Sequence, residues 1–220
     1  MDFIIESRVM ANKDWATILF VFCLIIIAVT KTIFESKFND FIRIVVNDKY
    51  LKIYRDKSDM FSWFTISLFF VQLISFSFLI LLILDATGYS ERTDGVKFIR
   101  IFAFLSFFIL SKYLIEKIIS ASFKIDDFSD QFIMHKTGYA TLIGVITFPF
   151  VIFLFYSPID IKWPIYLLTA MTIILFVFTY FRTLKHFQNT LTSKMFYFIL
   201  YLCALEIAPY YFMYYWFTKR

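Results

Sequence analysis

The chain has 220 residues, of which 60% are apolar, with a mean hydropathy of +0.74 and a formal net charge of +5. Soluble domains carry about 45–50% apolar residues, so this composition excludes a soluble globular fold and points to an integral membrane protein. The positive charge falls mostly in stretches flanking the apolar runs, where it reports topology and lipid contact and gives no footprint for nucleic acid.

A bilayer crossing needs about 20 apolar residues, and six stretches of the sequence predict one each. The first runs over about 15–30 (WATILFVFCLIIIAVT), and no small-x-small cleavage site follows it, so it reads as a retained helix rather than a signal peptide. The second covers about 61–84 and the third about 98–120. The fourth covers 139–156, the fifth 163–181 and the sixth 195–216. Trp15, Trp63, Trp163 and Trp216 all stand near a predicted span end. That is the aromatic-belt position, where an indole gains by lying at headgroup level. The expected fold class is all-α, a polytopic single membrane domain over 1–220 made of about six transmembrane helices with amphipathic connectors.

Between the first two spans, residues 32–47 carry Phe34, Phe38, Phe41, Ile42 and Val45 at helical spacing, with Lys37, Asp40 and Arg43 on the other face. The pattern predicts a basic amphipathic helix lying on the membrane surface, held there by anionic lipid; docking of a partner is the alternative use of the same face. A second connector, FKIDDFSDQFIMHK (123–136), is acidic through Asp126, Asp127 and Asp130, and opposite signs permit the two connectors to lie against each other. Lysine and arginine set the orientation. Lys31, Lys37, Arg43, Lys49, Lys52, Arg55, Lys57, Lys124, Lys136, Arg182, Lys185 and Lys194 fall on one side. Arg8, Lys13, Arg92, Lys97, Arg100, Lys162, Lys219 and Arg220 fall on the other. The first side is therefore expected to be cytoplasmic and both termini periplasmic.

Chemistry-bearing motifs are scarce. No HExxH, GxSxG or Walker pattern occurs, and the four glycines form neither a phosphate cradle nor a GxxxG face. His135 and His186 lie outside the predicted spans, so no haem-ligating pair is expected in the membrane. Cys23 and Cys203 fall inside spans with no partner at metal-ligand spacing, which predicts packing roles, no disulfide framework and no metal. Neither a catalytic residue nor a cofactor is expected.

Two polar clusters interrupt the spans. In SKYLIEK of the third span, Lys112 and Glu116 are one turn apart, as are Tyr113 and Lys117; this reads as a span grading into a cytoplasmic helix. In YLCALEIAPYY of the sixth, Glu206 comes close to the midplane, about 17 Å into its helix at 1.5 Å per residue. A lone carboxylate there costs a few kcal/mol unless it is protonated, paired or hydrated. Pro209 frees the Leu205 carbonyl beside it, and Tyr210 offers a phenol one turn on. Pairing of Glu206 with Lys112 to fix helix packing is the structural use; carrying a proton or binding a cation is the functional one.

The stretch from Tyr201 to Pro209 also carries a likeness. Tyr201, Leu202, Cys203, Leu205, Glu206, Ile207 and Pro209, with Asp14–Trp15 at the first span and Lys49–Tyr50–Leu51 ending the first connector, resemble an uncharacterised Bacteroidota family of inner-membrane proteins catalogued as a domain of unknown function. The resemblance implies a bacterial inner membrane and, through the phylum, envelope machinery for secretion or gliding motility. The function expected from residues and resemblance together is a non-catalytic scaffold or accessory subunit of a larger envelope complex. The alternative is a small transporter or proton-coupled carrier using Glu206. The expected partners are membrane proteins and a bilayer with anionic lipid on its cytoplasmic side, with no nucleic acid.

Overall fold

The computed structural model describes residues 13–42, 63–123, 126–157 and 162–186. These residues form six helices and no strand: α1 (Asp14–Ile33), α2 (Glu35–Ile42), α3 (Trp63–Thr87), α4 (Gly95–Phe123), α5 (Asp126–Tyr156) and α6 (Lys162–His186). All but α2 are long and apolar enough to cross a membrane. The protein is thus all-α with the architecture of a polytopic membrane protein. Five of the six predicted spans are present, and the sixth, 195–216, lies outside the described residues.

α3 is the central post. It touches α1, α4, α5 and α6, while α5 packs beside it and also meets α2, α4 and α6. The share of the apolar span that is buried follows this layout, at 61% in α3 and 50% in α5 against 22% in α1, 11% in α6 and 6% in α4. Sequence alone does not reveal which helix is central, because lipid and protein interior are about equally apolar and every side of such a helix can be hydrophobic.

α1 shows how a residue pattern selects a face. Its buried residues are Ala16, Phe20, Cys23 and Thr30, which recur along one side of a helix. That side lies on α3, where Phe20 meets Phe78 with ring centroids 4.3 Å apart. Around them gather Trp15, Phe98, Phe148 and Phe155, an aromatic core near the end of the bundle where α1 begins. Trp15 therefore departs from the expected belt position. It stacks on Phe78 and donates its indole N–H to the Thr93 carbonyl at 3.2 Å. Trp63 and Trp163, 80% and 76% exposed, keep the outward placement expected of belt residues.

The α3–α4 connection belongs to the same end. Gly88 closes α3 with φ +83°, a left-handed conformation natural to glycine, and the amides of Gly88 and Tyr89 donate back to Asp85 and Leu84 in the paired pattern of a Schellman cap. Arg92 then donates to the Asp85 carboxylate at 3.0 Å and to the Ser157 carbonyl at 3.1 Å, tying this turn to the end of α5. The Asp94 carboxylate accepts from the Lys97 amide at 3.0 Å and caps α4.

Two expectations about the connectors change. The acidic stretch 123–136 is not a separate connector, since α5 starts at Asp126 and runs on without interruption to Tyr156. The physical reason is that the charges of its first turns are met by α4, so that no loop is needed to carry them into water. The basic connector begins as predicted with a helix, but α2 bends off α1 at Phe34 and folds onto the bundle. Phe38 and Phe41 are buried in protein, in a cluster with Phe64 and Leu68 of α3 and Tyr139 and Leu142 of α5. The stripe that was expected to face lipid faces α3 and α5 instead. Lys37 and Asp40 are partly exposed, and Arg43 lies outside the described residues.

Candidate functional site

Of the polar cluster expected in the membrane, Lys112 and Glu116 are described, whereas Glu206, Pro209 and Tyr210 lie outside the described residues. Whether Glu206 meets Lys112 is therefore an expectation carried forward. What the structure brings together is a different set, at the end of the bundle where α4 hands over to α5.

α4 and α5 run antiparallel there and exchange two ion pairs. The Lys136 ammonium donates to a Glu116 carboxylate oxygen at 2.9 Å, and Lys117 pairs with Asp130. Glu116 is only 3% exposed, and its carboxylate would be costly to bury without that partner. The one-turn spacings within α4, Lys112 to Glu116 and Tyr113 to Lys117, suggested a helix grading into water. The observed partners instead come from α5, so the cluster is an interhelical clasp. His135, expected at an interface outside the spans, is buried within α5 beside this clasp in sequence, as is Ser120 on α4. The sequence held one signal for the clasp: acid and base on α4 (Glu116, Lys117) are answered by acid and base on α5 (Asp130, Lys136) across the reversal.

Directly below the clasp, between α2, α3, α4 and α5, lies a cavity of about 320 Å³. Its walls are chiefly apolar, among them Phe41, Phe64, Leu68, Ile109 and Met134. The polar groups in the lining are Tyr113 and the threonines Thr65, Thr137 and Thr141. Tyr113 connects the two features, as it lines the cavity and interacts electrostatically with Lys117, Asp130 and Glu116.

Nearer the middle of the bundle, α3 and α5 approach very closely. A Cβ placed on Gly144 would stand 2.8 Å from Gln72 Cγ and 3.0 Å from Gln72 Cα, so only glycine fits at that spacing. One turn away on α5 the Thr141 hydroxyl donates to Gln72 Oε1 at 2.8 Å, both groups buried. Gln72 stands about 14 Å into α3 at 1.5 Å per residue, the depth at which an unmatched amide would cost most. Sequence reading passed over this pair, since one glutamine and one threonine in apolar runs give no spacing signal. Ser75 and Ser106 hold buried hydroxyl oxygens with no hydrogen-bond partner among the described residues.

The arrangement can clamp helices and can enclose an apolar group. Among the described residues no cluster of His, Cys, Asp and Glu could hold a metal ion. A family model described as a domain of unknown function, DUF4271, matches residues 16–217. No curated protein matches the chain, and no solved structure does.

Proposed function

We propose that this chain, which belongs to the DUF4271 family, is a non-catalytic scaffold or accessory subunit of a larger complex in the bacterial inner membrane. The observation that supports this reading best is how the buried polar groups are used. Glu116 and Lys136 satisfy each other between α4 and α5, and Gln72 and Thr141 do so between α3 and α5. A carrier needs polar groups that continue from one face of the membrane to the other. Here the Gln72–Thr141 pair is followed along α3 and α5 by Phe78, Phe148 and Phe155, which are closely packed with Phe20. Those aromatic rings leave no stepping stone for a proton or a hydrated ion.

α4 and α6 supply the surfaces that such a subunit would use. Phe107 and Leu114 on α4, and Ile174 and Phe178 on α6, are turned away from the chain's own core. Lipid tails can cover these side chains as well as another helix can, so their exposure alone does not choose between the two. The resemblance to envelope proteins adds the context of secretion or gliding machinery. The lysine and arginine distribution puts the α2 end and the clasp on the cytoplasmic side.

The test is purification of the tagged protein from native membranes in a mild detergent, followed by identification and stoichiometry of what stays bound. The scaffold reading expects at least one membrane protein at a fixed ratio through two chromatographic steps. Recovery as a bare monomer that supports proton-driven solute uptake in liposomes would replace it with the carrier reading.

A further inference from the structure

The cavity under the α4–α5 clasp opens sideways. Ile66 of α3 and Leu110 of α4 both line it, yet they are 47% and 54% exposed, so its mouth lies on the outer surface where α3 and α4 part. In a membrane that surface is met by acyl chains. About 320 Å³ is within the range of ligand-holding pockets, roughly 300–1,000 Å³, and an apolar lining with few hydroxyls is typical of them.

We infer that this cavity is a lipid site that takes one acyl chain of an anionic phospholipid from the surrounding leaflet, with the headgroup at the level of the clasp. The chain part of the fit comes from the walls, Phe64, Leu68, Ile109 and Met134. Those walls cannot by themselves select one lipid, because a tail gains little on moving from lipid into an equally apolar pocket. Selection falls to the headgroup. Within one helical turn of the lining stand Lys37, Lys112, Lys117 and Lys136, against Asp40, Glu116 and Asp130. The balance is one positive charge, and Arg43 follows two residues after Phe41 in sequence. The Tyr113 hydroxyl lies where the apolar walls give way to these charges, a position suited to a glycerol ester. One unbalanced basic group near an anionic headgroup gives a preference on the order of fivefold. This inference is independent of the scaffold reading, since a carrier or a scaffold could hold such a lipid.

The experiment uses the full chain in nanodiscs of equal phosphatidylglycerol and phosphatidylcholine. One lipid at a time carries a photoactivatable diazirine in its acyl chain, and the adducts are mapped by peptide mass spectrometry. Adducts at Ile109, Tyr113 and Met134 should exceed those at Val177 on the lipid-facing side of α6, and should be about fivefold more abundant with phosphatidylglycerol. Leu110→Trp, which adds bulk at a mouth position already turned outward, should bring cavity adducts down to the α6 level without changing the melting temperature. Lys112→Gln should erase the headgroup preference while the cavity still labels. Cavity labelling no higher than at Val177 in the unaltered protein, or equal labelling by the two lipids, would overturn the proposal.

Discussion

Gly144 and Glu116 each concentrate a stated cost in a single side chain. At Gly144 an added methyl meets the backbone of α3 as well as a movable side chain, so the helices must part. Gly144→Ala should lower stability by about 1–3 kcal/mol, the usual range for overpacking, read as a fall in melting temperature in detergent. An unchanged melt would mean that α3 and α5 are not in close contact there. Glu116→Ala strips Lys136 of its partner and should cost about 3 kcal/mol, because the remaining charge is left partly buried. Replacing both, as Glu116→Leu with Lys136→Met, should restore stability to within about 1 kcal/mol of the parent. A clasp that only holds helices tolerates that exchange in any growth or complex-assembly assay. Loss of function with stability intact would give the pair a chemical role instead.

At the scale of elements, span content was legible in the sequence and neighbour relations were not. Hydropathy located α1, α3, α4, α5 and α6 because burial in lipid or in protein makes the same demand on a side chain. For that reason it could not tell that α3 is the central post while most of α4 faces outward. The α2 stripe is a case of the same ambiguity: Phe38 and Phe41 at helical spacing require an apolar surface, and α3 with α5 provides one as well as a membrane would. Asp126 and Asp130 looked like loop residues because their partner helix is remote in sequence from any local pattern. Trp15 was expected at the interface as an isolated anchor, but it joins α1 to the α3–α4 turn through Thr93. Trp15→Phe keeps most of the ring packing and loses that hydrogen bond, so a drop of about 1 kcal/mol is expected. A label-based unfolding measurement that reports on residues 88–94 should register it first. No change there would assign the tryptophan to packing alone.

The whole molecule is a bundle with a tight α3–α5 centre, an aromatic plug at one end, and a clasp over an apolar cavity at the other. With five described spans, the stretch after His186 must lie on the opposite side from Asp14. Fusions after His186 should therefore activate a cytoplasmic reporter, and fusions at Ser90 an exported one; the reverse pattern would invert the bundle. The central claim is that the outer helices serve to hold other proteins, and in-cell photocrosslinking measures that directly. Benzoylphenylalanine placed in turn at Phe107 and Leu114 of α4, and at Ile174 and Phe178 of α6, should yield a discrete protein adduct of one mass from at least one of the two faces. Leu81, fully buried in α3, serves as the silent control. Adducts to lipid alone from all four positions would contradict the account.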